Sequence, residues 1–424
     1  MKKSAVLLGI VAIISLGFIS CNSGAHIILP PSHLTERVLA SQSASSPTAA
    51  GGLDLIDGEY DTLQRGGISA GTSPGLMAID PDRSVLLAFD SATNKVDVVN
   101  TTKETVAGTI QLQGPTSSMV APQSTVGYAA VPAAPINGSP AGAVVEMNLT
   151  SPSITATISV PGAQTVVSNL SGTQLLVFSN DSNAVTVVSP LELNLGVPLT
   201  TTVPGFDRPV NAVFSSDGGT AYILNCGAEC GGKQASVQLL NLTSTPPTPG
   251  ALVAVDGATI AFLGGSTLWV AGNSPTNSSC TGQTTAATSC GRLDIVDVGS
   301  LTVTGSLPIT DGYHDRIDLG SNDQLFIGSH TCTNIGNVNN PQGEVRGCLS
   351  IYNTTNGTIV IPPDNGDVTG LQGFTTRYVE YVAEGGNLRV YYTMTDALLI
   401  NDYILTGTII ITGSITDVKA IDFF

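Results

Sequence analysis

Six cysteines fall into three local pairs, and each pair brackets one loop. "NCGAECGG" holds Cys226 and Cys230, "SSCTGQTTAATSCGR" holds Cys280 and Cys290, and "HTCTNIGNVNNPQGEVRGC" holds Cys332 and Cys348. Zinc would need four converging ligands, and His330 is the sole His in any of these loops. A redox C-x-x-C is absent. The even count and local pairing favour disulfides over a metal or free thiols, because a hairpin brings its loop ends within the roughly 4.4–6.8 Å that a disulfide spans. Ionisable groups are the second source of chemistry. Lys and Arg number 15, Asp and Glu 32, yet charge recurs in "GFDRPVNA" (Asp207, Arg208), "DGYHDRIDL" (His314, Asp315, Arg316), "FTTRYVEYV" (Arg377) and "SITDVKA" (Asp417, Lys419). A His beside carboxylates titrates near neutral pH or ligates a cation. The alternative is that these groups bond strand-end amides and one another.

Several chemistries lack their signatures. There is no C-x-x-C-H for covalent haem, and the overlapping G-x-S-x-G matches Gly67–Gly71 and Gly71–Gly75 are followed by no helical pattern, so neither reads as the strand-to-helix elbow of a serine hydrolase. Asp364 and Asp367 in "PPDNGDVTG" are not followed by the bidentate Glu of a calcium loop, and turn chemistry accounts for them. The net charge of −17, with basic residues mostly single, excludes nucleic acid as a partner.

The elements that must position these residues are strands. "KVDVVN", "AVTVVS", "SVQLLN", "RLDIVD" and "CLSIYN" alternate with period two, and no segment sustains a 3.6-residue pattern. "SPGLMAIDPDRSVLLAFDSATNKVDVVN" and "RPVNAVFSSDGGTAYILNCGAECGGKQASVQLLN" repeat one plan of strand, turn, strand, loop, strand. Second strands of successive units fall at Leu86, Gly127, Leu175, Ala221, Leu268, Leu325 and Leu388. This pattern resembles the YVTN family of β-propeller repeats. The resemblance implies an all-β, single β-propeller of four-stranded blades, and it carries little information on function. "ERVLASQSASSPTAAGGLDLIDGEYDTL" supplies the second and third strands of a blade, and "GSITDVKAIDFF" supplies a first strand. Pairing the two chain ends closes eight blades, with seven as the alternative. Each cysteine pair then lies between second and third strands. The charged stretches are read as lead-ins to innermost strands, which converges Asp207, Arg208, His314, Asp315, Arg316, Arg377 and Asp417 at one mouth of the channel.

The N-terminus "MKKSAVLLGIVAIISLGFISC" has two Lys, an uncharged apolar run and Ser20-Cys21, too short and wrongly flanked for a stable span. "FISC" resembles the lipobox of bacterial lipoproteins, which implies lipid on Cys21, and Asn22 implies the outer membrane. The expected organisation is a signal peptide at 1–20, a lipid-anchored tether at 21–35 and the propeller at 36–424. The function expected is a non-catalytic binding or scaffold module for a protein or an envelope polymer, on the periplasmic or surface face. The alternatives are a propeller enzyme, lactonase-like or dehydrogenase-subunit-like, and an envelope assembly factor. Against the enzyme, lactonase Glu and Asn ligands find no match, and a single Trp excludes the repeated Trp docking motif of quinone-dependent dehydrogenases. No cofactor is expected beyond a divalent cation at the channel mouth.

Overall fold

The computed structural model describes residues 30–44, 51–190, 199–274, 290–332, 347–362, 366–374, 376–401, 404, 406–411 and 413–422. Its strands form eight antiparallel sheets in a closed ring, each a four-stranded blade, one of which carries a fifth short strand. Blades 1 to 7 follow chain order at residues 74–111, 118–159, 163–204, 209–254, 260–309, 313–360 and 368–409. The eighth is composite. Its innermost strand is Ser414–Ala420, followed outward by Arg37–Ser43, Gly52–Asp57 and Thr62–Ile68. The eight-bladed ring closed by both chain ends is therefore the architecture of the protein.

The period-two strands behave differently from half-buried ones. Lys95–Asn100 is buried along four consecutive residues, because each blade is sandwiched between two neighbours. Alternation survives in outer strands such as Thr105–Gln111. The core is a series of interblade layers. In one, Leu87, Val96 and Val98 of blade 1 meet Ala129, Val131 and Met147 of blade 2. Each fully buried Val or Leu contributes about 1.5–3 kcal/mol of transfer free energy.

The antiparallel plan gives the ring two unlike faces. One carries the first-to-second and third-to-fourth turns and is called the turn face. The other, the loop face, carries the second-to-third loops and the connections between blades. The strand ends that carry the cysteines lie on the loop face: Cys226 follows Thr220–Asn225, Cys290 opens the third strand of blade 5, and Cys332 follows Gln324–His330.

Two expectations are corrected in blade 7. Leu388 lies on the third strand, Asn387–Tyr392, and the second strand is Val379–Glu384. Consequently "FTTR" follows the innermost strand, Val368–Phe374, and does not lead into it. Arg377 is carried to the turn face. The outermost edge of this blade is split into Ala397–Leu398 and Thr408–Ile409, both paired with Asn387–Tyr392.

Candidate functional site

Two of the clips are present as expected. Cys226–Cys230 and Cys332–Cys348 are disulfides with Cα atoms 5.6 Å apart. Cys290 is disulfide-bonded as well, while Cys280 and the lipidation candidate Cys21 lie outside the described residues. The first clip folds Gly227–Cys230 into one 3-10 turn. Asp207 anchors it: its Oδ2 accepts bonds from the amides of Lys233 (2.9 Å) and Gln234 (2.8 Å). The turn then reaches over blade 5, where the Glu229 carboxylate accepts the Asn273 backbone amide at 2.9 Å. Burial pushes the Glu229 carboxyl up to about 7, against the opposing pull of these Asn273 bonds. Asn273 Nδ2 in turn donates to Gly312 O at the start of blade 6 (2.7 Å).

A recurring bulge shapes the mouth on this face. Pairing between the first and second strands shifts after Ala163, Pro209, His314 and Val368. An extra residue therefore stands at Gln164, Val210, Asp315 and Thr369. Bulges re-aim side chains, and they recur beside binding sites.

Asp315 Oδ2 accepts from Arg316 Nη1 and from His330 Nε2, each at 2.8 Å. That bond to Asp315 raises the His330 pKa. Arg316 Nε donates to Thr369 O of blade 7 (2.7 Å), so the group also straps blades 6 and 7. His314 is fully buried. Its Nε2 lies 2.9 Å from Thr310 O, which fixes that nitrogen as the donor. Burial pushes its pKa down to about 4. His314 is thus a neutral packed side chain, and its backbone carbonyl accepts Thr259 Oγ1 across the blade boundary (2.7 Å). Asp417 is also buried, on the channel wall, where its Oδ2 accepts the Met77 amide and its Oδ1 takes Lys419 Nζ, both at 2.8 Å. Arg377 pairs with the buried Asp61 (2.5 Å) on the turn face.

The expected constellation is therefore divided. Asp207, Arg208, Asp315 and Arg316 gather at the loop face, His314 lies beneath them, Asp417 sits within the wall, and Arg377 is at the other end. Among the described residues no three His, Cys, Asp or Glu side chains form a group fit to hold a metal ion.

What the loop face does hold is a cavity of about 310 Å³ spanning blades 3, 4 and 6. Gln164, Asn180, Asp181, Arg208 and Tyr313 line it, with Cys230 at its edge. Of these, only Arg208 and Cys230 lie in stretches that sequence chemistry marks. Gln164 was legible in principle, as the bulge position of a repeat whose neighbours carry Val210 and Asp315. Tyr313 adjoins the charged run but is uncharged, so its type alone does not mark it as a site residue. Two cavities of about 530 Å³ adjoin at the turn end of the channel, sharing Leu170, with Arg83 and Lys419 in one wall.

No family model and no curated protein matches this chain. Solved structures do. Dihydro-heme d1 dehydrogenase NirN in complex with DHE aligns over 92% of this chain and 75% of its own at 12% identity, TM-score 0.61. Kuenenia stuttgartiensis hydrazine synthase covers 76% of this chain and 96% of its own at 14% identity, TM-score 0.55. A functionally unknown protein from Desulfotomaculum acetoxidans DSM 771 covers 78% and 100% at 14% identity, TM-score 0.53. At such identity the likeness extends to the β-propeller fold alone.

Proposed function

We propose that this chain is a lipid-anchored, extracytoplasmic propeller of YVTN-type repeats. In this reading it is held at the bacterial envelope through Cys21 and serves as a non-catalytic binding or scaffold module for an envelope component. One observation carries the reading: the N-terminal segment and the clipped loops are on opposite faces. Ser32 is pinned to the turn face by Glu104, its amide donating to Oε2 (2.8 Å) and its hydroxyl to Oε1 (2.6 Å). The disulfide loops and the 310 Å³ cavity are at the loop face. A chain anchored ahead of Ser32 turns its loop face away from the membrane, which is the geometry of a displayed receptor surface. The state of the charged group agrees with binding over catalysis. His314 is buried with Nε2 committed, and Asp315 is committed to Arg316 and His330, so neither is an exposed base.

The test has two arms. Cys21→Ser is expected to move the protein from membranes into a soluble fraction; full retention in membranes defeats the anchor. Crosslinking in intact envelopes is expected to trap partners through the loop face. Crosslinks confined to the turn face defeat the assignment of the binding surface.

A further inference from the structure

The loop-face cavity has the composition of a site for one class of ligand. We propose that it binds a neutral saccharide, one ring stacked on Tyr313 and its hydroxyls held by Gln164, Asn180, Asp181 and Arg208. This deepens, and rests on, the reading of the loop face as the binding surface.

Tyr313 offers the apolar part. Tyr313 is 40% exposed as a residue, and its ring is held from one side by His330, with ring centroids 6.3 Å apart and planes 12° from parallel. His330 is itself held by Asp315 at 2.8 Å. The ring is therefore a supported platform, and the C–H face of a sugar is the ligand surface that an aromatic face accepts without a charge or a plane of its own.

The polar part is equally supported. Gln164, raised by its bulge, donates from Nε2 to Ser117 Oγ (2.9 Å) and accepts from Asn180 Nδ2 (3.3 Å). Arg208 and Asp181 are joined at 3.1 Å. Amide, carboxylate and guanidinium groups in one wall supply paired donors and acceptors, which match vicinal hydroxyls. Fixing these groups beforehand lowers the ordering cost of binding.

Charge decides for a neutral sugar over an acidic one. The guanidinium and carboxylate of the wall offset each other, and the chain as a whole carries −17. An anionic polymer would approach against that field. The volume, about 310 Å³, stands at the small end of ligand pockets, which suits one or two rings of a chain.

Titration calorimetry on the full-length protein in detergent tests the proposal, with cellobiose, maltose and N,N′-diacetylchitobiose as neutral probes and digalacturonate as the acidic one. At least one neutral disaccharide is expected to bind, and digalacturonate not to. Tyr313→Ala is expected to weaken binding by roughly tenfold or more, whereas Tyr313→Phe keeps it. Gln164→Ala, at a half-buried bulge position, serves as the second variant and is expected to weaken binding too, with the melting temperature recorded for each. Failure of all three neutral probes, preference for digalacturonate, or full affinity in Tyr313→Ala overturns the saccharide site. Crosslinking of a protein to the loop face alongside such a failure leaves the binding-module reading standing without it.

Discussion

At the turn face, Arg37 and Arg377 sink their guanidinium groups against carboxylates that solvent barely reaches. Arg37 meets Asp422 at 2.8 Å and Glu104 at 3.1 Å, with side-chain exposures of 7%, 14% and 8%. Arg377 meets Asp61, which is fully buried and also bonded by the Tyr381 hydroxyl. At the loop face, Arg208 pairs with an Asp181 that is 90% exposed. Every deep pair at the turn face grips the composite blade: Arg37, Asp61 and Asp422 belong to it, and Arg83 of blade 1 donates to Ala420 O (2.5 Å). That blade is the one assembled from both ends of the chain, with no covalent link between its first and second strands. Among the described residues, the turn-face pairs tie the closure of the ring, whereas the loop face sets the exposed Arg208–Asp181 pair beside the buried Glu384, which Arg389 meets at 3.8 Å.

The largest expected effect follows from that contrast. Arg37→Ala or Asp61→Ala strands a buried opposite charge and is expected to cost about 3–5 kcal/mol in denaturant unfolding. Equal losses from Arg37→Ala and Arg208→Ala would erase the distinction between the faces. Reduction comes next. The chain-entropy relation gives about 2 kcal/mol for the Cys226–Cys230 loop and about 3 for Cys332–Cys348. Melting with and without reductant, followed by far-ultraviolet dichroism, is expected to show this loss while the strands persist.

A pH dependence of smaller slope sharpens the comparison further. Burial raises the Glu229 carboxyl from 4.5 to about 7, so the native state holds its proton more tightly than the unfolded chain. Its contribution is complete below pH 4.5 and is lost as pH rises through about 7, at no more than about 1.4 kcal/mol per unit. Glu380, fully buried beside Asp318, has the same sign, burial being its first cause. Unfolding measured across this range is expected to flatten in Glu229→Gln and Glu380→Gln, and an unchanged profile in both refutes the assignment. The smallest effect belongs to Arg208→Ala, under about 1 kcal/mol, as for other solvent-facing pairs.

Third strands were the most legible part of the molecule, because their apolar positions face neighbours on both sides and tolerate little else. Blade 7 departs from the expected register by one strand for a packing reason. Its innermost strand, "VTGLQGF", lacks a β-rich pattern. A Cβ at Gly370 would stand 2.8 Å from Asp417 Oδ1 and from Val418 N, and one at Gly373 would stand 2.8 Å from Glu380 Oε2. The backbone of the composite blade crowds Gly370, and Glu380 of the adjoining strand with Gly320 Cα of blade 6 (3.2 Å) crowds Gly373, so small residues stand there and the strand reads as a loop. The slip carried Arg377 to the wrong end of the channel. The charged lead-in at His314 was legible as a cluster, but its burial was not, since nothing in "DGYHDRIDL" distinguishes a ring facing Thr310 from one facing solvent.

The composite blade also determines how the molecule bears tension. Arg37–Ser43 is bonded along its length to Ser414–Ala420 on one flank and to Gly52–Asp57 on the other. A pull applied at Pro30 runs parallel to that strand, so both ladders resist together in shear, with the Arg37 clamp at the loaded end. A pull applied at residue 422 bears on a strand with a single ladder inside its blade. Rupture under load reports the unfolding rate, and the chain is expected to hold longer when drawn from its N-terminal side: a fastener with a preferred direction.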